Sequence, residues 1–214
     1  MNNAKEYKYL IFDFDGTIND TSQGIYATFK AVLDSFGVDY SNVDFSEHIG
    51  PPLDFSYNKL VGSQLCREAI ERHYRFYKEL HADRLCRIYD GIDCVIKSLH
   101  EAGYVIALAS SKYEPHLVSL LQNLKLDQFF TCIYGQTENR GYKEEILRQL
   151  IEDNRWEKEQ CIMIGDTLYD VEGAHGNGID VLAVAYGFGK KEDLIAVHPV
   201  AVVDTPQDVL KFFA

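Results

Sequence analysis

The chain has 214 residues, with 21 Lys plus Arg against 33 Asp plus Glu and a net charge of −12. That length allows one large domain, or a core domain with a smaller insertion. So acidic a surface argues against broad binding to nucleic acid or anionic membranes, which needs basic patches, and an anionic substrate would need a local positive site.

Along the chain, the N-terminus MNNAKEYKYL has no long apolar segment and runs straight into a strand, so no signal peptide is expected. No apolar run approaches the roughly 20 residues of a membrane span. Tyr9-Leu10-Ile11-Phe12 is a short apolar run that leads into Asp13. Similar runs are Tyr104 to Ala109 before Ser110, Phe130 to Tyr134 before Gly135, Cys161 to Ile164 before Gly165-Asp166, and Val181 to Ala185 before Tyr186-Gly187. Each is continuous rather than alternating, the pattern of a parallel strand buried on both faces.

Helical patterns fill the intervals. Pro115 suits the first position of a helix running to Leu124. Lys143 to Asp153 carries an apolar stripe at Ile146, Leu147, Leu150 and Ile151. Tyr169 to Asn177 reads as another helix, and Thr205-Pro206-Gln207-Asp208 starts a last one through Phe213. Strands alternating with helices imply an α/β fold, a doubly wound parallel sheet of Rossmann-like form. The block from about Thr21 to Cys86 breaks that alternation: Gly24 to Phe36 and Ser63 to Leu80 read as amphipathic helices, with no convincing strand. The expected organisation is a core domain of residues 1–18 and 88–214, with a helical cap domain of residues 19–87 inserted after the first strand.

The five cysteines, Cys66, Cys86, Cys94, Cys132 and Cys161, are scattered and form no CxxC pair, so reduced, mostly buried thiols of a cytoplasmic protein are expected. The seven histidines show no metal-ligand spacing; His73 and His81 are read as surface residues of the cap, and Tyr74, Phe76 and Tyr77 as packing. Pro51-Pro52 either precedes a helix or forms a rigid cap loop facing a site.

In open parallel sheets, ligands bind beyond the carboxyl ends of the strands. The residues placed there are Asp13 and Asp15, Ser110 and Ser111, and Asp166 and Asp170, with Lys143 at a helix start. Carboxylates, hydroxyls and one ammonium suit phosphoryl transfer. A carboxylate can attack phosphorus, a second can move protons, and a hard cation with an ammonium can neutralise the phosphoryl oxygens. Asp13 and Asp15 could instead be turn residues, and Asp166 and Asp170 helix caps; two acids ending a buried strand are costly without a cation. Lys112 competes with Lys143 for the cation role, or is a solvated residue at a helix start.

Asp13-Phe14-Asp15-Gly16-Thr17 resembles the DxDGT signature of haloacid dehalogenase-like hydrolases. Ser110, Lys143 and Gly165-Asp166-Thr167-Leu168-Tyr169-Asp170 resemble that superfamily's second, third and fourth motifs, in the right order. Around Lys143 the run Arg140-Gly141-Tyr142-Lys143-Glu144-Glu145 lacks the prolines that many relatives place there. The inserted block, Ile49 to Leu53 and Tyr186-Gly187-Phe188-Gly189 resemble the phosphoglycolate phosphatase-like branch with a helical cap.

The resemblance implies a Mg²⁺-dependent phosphatase acting on a small phosphorylated metabolite through an aspartyl phosphate. Asp13 would be nucleophile and metal ligand. Asp15 would be general acid and base, with its backbone carbonyl on Mg²⁺. Asp166 would complete the metal site, and Asp170 would orient Lys143 or a metal-bound water. Ser110, the Ser111 N–H and Lys143 would hold the phosphoryl group. The alternatives are a phosphosugar mutase of the β-phosphoglucomutase type, and a catalytically silent ligand-binding protein on the same fold.

Overall fold

A computed structural model describes residues 6–214. Residues 1–5, which the sequence reading gives to the core domain and to an N-terminus without a signal peptide, lie outside the described residues.

The elements in chain order are β1 (Tyr9–Phe12), β2 (Asn19–Asp20), α1 (Ser22–Phe36), α2 (Leu53–Val61), α3 (Ser63–Glu79) and β3 (Arg87–Ile88). Then come α4 (Ile92–Glu101), β4 (Val105–Tyr113), α5 (Glu114–Leu124), β5 (Cys132–Gln136), α6 (Lys143–Asn154) and β6 (Cys161–Gly165). The chain ends with α7 (Leu168–Asn177), β7 (Asp180–Val184), α8 (Lys191–Ala196), β8 (Ala201–Val203) and α9 (Pro206–Phe213). Contacts divide it into two compact units: one takes in the residues up to Ile18 and from Ile88 to Ala214, the other Asn19–Arg87. The short strands β2 and β3 pair with each other at the two chain crossings.

The first unit is built on a six-stranded sheet of order β5-β4-β1-β6-β7-β8. Every pairing in it is parallel. β1 lies between β4 and β6, with Tyr9 opposite Val105 on one side and Cys161 on the other. The strand order therefore reverses at β1, which opens a crevice beyond its carboxyl end.

Both faces of the sheet are covered. Leu10, Phe12, Ile106, Leu108, Ile162 and Ile164 pack with α4, α5 and α9. The alternate residues Ile11, Ala107, Ala109, Met163 and Val181 pack with α6 and α7. Successive side chains of a strand point to opposite faces, so a strand buried on both sides must be apolar throughout. That is why the sheet reads as unbroken apolar runs.

The second unit is helical. Phe29, Val32 and Leu33 of α1, Tyr57 of α2 and Ala69 of α3 are buried in it. α2 begins directly after Pro51-Pro52, with Pro52 as its extended N-terminal flank. His73 does not lie on the surface as its polarity suggests; it is buried. Its Nδ1 is 2.8 Å from the Tyr57 hydroxyl, and its ring lies edge-on to Phe29 with centroids 5.3 Å apart. A hydrogen-bonded imidazole is satisfied in such a place, so polarity alone misplaces it. His81 is exposed.

All five cysteines are free; Cys66 and Cys161 are buried, Cys86 and Cys132 half-buried and Cys94 exposed. Burial pushes the Cys132 thiol up to about 11, against the smaller opposing effect of a hydrogen bond from Asn154. Among the described residues, no helix is long and apolar enough to cross a membrane.

Candidate active site

The crevice side chains come from the ends of three strands and the starts of two helices. β1 hands over to Asp13 and Asp15, and β6 ends at Gly165 beside Asp166. α7 contributes Asp170 from its first turn, and Lys143 is the first residue of α6. Ser110, Ser111 and Lys112 all lie within β4, which continues to Tyr113 rather than ending at Ala109.

Asp13, Asp166 and Asp170 converge: one carboxylate oxygen from each lies within 4.8 Å of the others. All three are buried, and so is Lys143. The Lys143 Nζ lies 2.5 Å from Asp13 Oδ1 and 2.8 Å from Asp170 Oδ1. It also donates to the Ala109 carbonyl at 2.8 Å. The ammonium thus meets the end of β1, the first turn of α7 and β4 at one point. Burial opposes its charge, yet Asp13 and Asp170 hold the ammonium above its ordinary pKa.

One ammonium does not balance three carboxylates. Burial first, and then repulsion from Asp170 and Asp15, push Asp13 up to about 7 despite the opposing pull of Lys143. Asp166 is raised well above the ordinary carboxylate range, by burial and by its neighbours Asp170 and Asp13. An all-oxygen donor set that burial and mutual repulsion drive toward protonation fits a hard divalent cation, whose charge removes that repulsion. Asp13 and Asp166 are placed to hold such an ion, with Asp170 beside them.

Asp166 is held from two sides. Thr17 Oγ1 donates to its Oδ1 at 3.1 Å, and the Phe188 N–H donates to its Oδ2 at 2.8 Å. The Tyr186 hydroxyl ties the other end of that loop to the Thr17 carbonyl at 3.0 Å. This close approach requires glycine. Gly16 has φ of +91°, and a Cβ there would stand 2.1 Å from Asp166 Oδ2; one on Gly187 would stand 2.3 Å from Asp166 Cβ. The stretch Tyr186 to Gly189 thereby gains a physical role as the wall around Asp166. Asp170 is both helix cap and site residue: its Oδ2 accepts from the Thr167 N–H at 3.0 Å, while Oδ1 faces Lys143.

Asp15 is set apart from this cluster. Its Oδ2 lies 3.1 Å from Lys112 Nζ, and its Oδ1 is buried without a hydrogen-bond partner. Lys112 is thus no solvated residue at a helix start: the extended strand carries it inward, and its side chain is 12% exposed. The Ser111 hydroxyl is likewise buried and unpartnered, and Ser110 is 1% exposed with its Oγ accepting from the Lys112 N–H at 3.3 Å. Unsatisfied buried polar atoms are costly, and these two stand beside the charged cluster in sequence and sheet register. The sequence reading missed the Lys112–Asp15 pair and the Phe188 N–H. Lys112 was legible only as a cation two residues after a strand-end serine.

A sequence model described as haloacid dehalogenase-like hydrolase matches residues 10–184. A 5'-nucleotidase from Pseudomonas aeruginosa is 33% identical over 201 residues, covering 92% of this chain and 90% of that protein. Tyrosine-protein kinase PtkA from Mycobacterium tuberculosis is 31% identical over 209 residues, 94% of this chain and 72% of that protein. Among solved structures, a haloacid dehalogenase-like family hydrolase from Streptococcus pneumoniae superposes with a TM-score of 0.90 at 28% identity, covering 97% and 99% of the two chains. A predicted phosphatase from Clostridium acetobutylicum also reaches 0.90, at 29% identity over 96% and 97%. With the aspartate cluster and its lysine at the reversal point of a parallel sheet, the chain belongs to the haloacid dehalogenase-like hydrolases, as one of that family's phosphatases.

Proposed function

We propose that the protein hydrolyses a small phosphorylated metabolite in a Mg²⁺-dependent reaction through a phosphorylated Asp13. The reading rests on one observation above all. Two carboxylates two residues apart sit in opposite settings: Asp13 among buried acids on Lys143, Asp15 on Lys112 with an unbonded buried oxygen. Different environments give like groups different roles.

Asp13 attacks phosphorus and forms an acyl phosphate, while Asp15 gives its proton to the leaving oxygen as the P–O bond breaks. Asp15 then takes a proton from water, which attacks the same phosphorus and releases phosphate and free Asp13. Lys143 and the Ser110 and Ser111 groups hold the phosphoryl oxygens, and Asp170 keeps Lys143 in place. Mg²⁺ held by Asp13, the Asp15 carbonyl and Asp166 would supply the positive charge that lets two anions meet. The helical unit, residues 19–87, acts as the cap that selects the substrate. The 5'-nucleotidase and PpaX pyrophosphatase names among the relatives favour a small phosphate compound.

The test is phosphate release from a panel of phosphorylated metabolites and a phosphotyrosine peptide, with Mg²⁺ and with excess chelator. Asp13→Asn is expected to abolish turnover and keep the fold by circular dichroism. Wild-type turnover in Asp13→Asn, or undiminished activity in chelator, overturns the reading. Faster turnover of the peptide than of every metabolite overturns the substrate class. A coupled isomerisation assay with phosphosugars detects a mutase.

A further inference from the structure

The start of α6 sets where Lys143 can reach, yet Gly141 and Tyr142 precede it and no proline stiffens the turn. Its ammonium must meet Asp13, Asp170 and the Ala109 carbonyl together. Something else has to fix that turn against the ends of β4 and β5.

We propose that Arg140 is a positioning residue for Lys143, clasping the turn that carries it. The guanidinium is buried, 9% exposed. Its Nε donates to the Gly135 carbonyl on β5 at 2.8 Å, and one Nη donates to Gln149 Oε1 on α6 at 2.9 Å. The other Nη pairs with Glu114, the first residue of α5 after β4. Glu114 Oε2 closes the ring by accepting from the Gly135 N–H at 2.9 Å. The Arg140 carbonyl accepts from the Thr137 N–H at 2.9 Å, and its guanidinium carbon stands 4.8 Å from the Tyr134 ring centroid. A Cβ on Gly135 would meet the Lys112 carbonyl and Glu114 Cα, each at 2.6 Å, so the strands meet closely here.

One planar side chain therefore joins three elements: α5 at Glu114, directly after the strand of Ser110 and Ser111, then β5, and the helix of Lys143. A lysine offers a single point charge and cannot serve three directions from one plane. None of the partners of Arg140 is Asp13, Asp15, Asp166 or Asp170. Its effect on chemistry must pass through the placement of Lys143.

The inference rests on the reading of Lys143 as the phosphate-side cation, and a double-mutant cycle separates the two. The probe is inorganic phosphate binding by calorimetry in the presence of Mg²⁺. Turnover of a small aryl phosphate and melting temperature accompany it, on wild type, Arg140→Met, Arg140→Lys, Lys143→Met and Arg140→Met/Lys143→Met.

Arg140→Met is expected to weaken phosphate binding about tenfold and to lower kcat by roughly 10–100-fold, the loss that a displacement near 1 Å brings. Arg140→Lys recovers only part of each. In the Lys143→Met background the Arg140 change is expected to cost no further binding. Equal factors in both backgrounds, or a folded Arg140→Met with wild-type binding and kcat, overturn the proposal. Wild-type binding and kcat in Lys143→Met overturn the reading of Lys143 instead. If Arg140→Met does not fold, Glu114→Gln removes one anchor and takes its place. A several-fold loss confined to the Lys143 background supports the clasp, and an equal loss in both backgrounds overturns it.

Discussion

Lys143 and Lys112 are both cations beside an aspartate, and their surroundings assign them different work. Lys143 bridges three elements with its side chain 5% exposed. Lys112 pairs with Asp15. Lys143 is the cation that faces the charge spreading over the phosphoryl oxygens in the proposed reaction, so Lys143→Ala should lose several powers of ten in turnover. Lys112→Ala should lose much less, and selectively. If it holds the acid Asp15 in place, kcat/KM should fall more for an alkyl phosphate, whose leaving oxygen needs a proton, than for a nitrophenyl phosphate. A larger loss in Lys112→Ala than in Lys143→Ala, or equal losses on the two substrates, would reverse the assignment. Asp13 also ties stability to pH. Its folded pKa of about 7 exceeds an unfolded value near 3.9. Without a divalent cation the folded state then holds the extra proton between those values. Stability from this group is present below about pH 4 and is lost as pH rises through about 7, by at most about 1.4 kcal/mol per pH unit. Burial lowers the pKa of His48 and works in the opposite sense. The comparison is therefore Asp13→Asn against wild type in chelator, by thermal melts from pH 4 to 8. The variant should gain on wild type as pH rises, and Mg²⁺ should raise the wild-type melting temperature most. A gap between the two that does not change with pH removes the argument.

At the scale of elements, the sequence was most legible where both faces of a strand are buried. The apolar runs at Tyr9, Cys161 and Val181 locate β1, β6 and β7 to within a residue or so. β4 was cut short because its last residues, Ser110 to Tyr113, leave the core and enter the crevice, where function rather than packing chooses the residue type. The same cut hid the inward course of Lys112. The sequence reading offers a helix after Pro51-Pro52, where α2 lies, but passes over α4, α8 and β8; α8 and β8 have only six and three residues, too few for periodicity to show. The site residues were legible as strand-end acids and a helix-start lysine. The carriers of the Arg140 clasp were not, because Glu114, Gly135 and Gln149 become neighbours only once the sheet is built.

Over the whole molecule, β1 occupies the middle of the sheet although it is the first strand in the chain. Its partners are Val105–Leu108 on one side and Cys161–Ile164 on the other. During synthesis, therefore, an apolar strand with both edges open leaves the ribosome long before either neighbour exists, and the whole of residues 19–87 must emerge in between. Long-range parallel pairing of this kind closes late and leaves strand edges open to misassociation. Pulse proteolysis of ribosome-bound chains should find the segment around Leu10 to Phe12 cleavable in chains ending before Cys161 and protected once β6 is free of the exit tunnel. Protection already complete before Cys161 would mean that β4 alone suffices. The aspartates that end β1 thus meet Lys143 and Asp166 only once β6 has been made, so the charged site is assembled late in synthesis, and the divalent cation of the proposed reaction would find its full set of acids only in a chain that has passed Asp170.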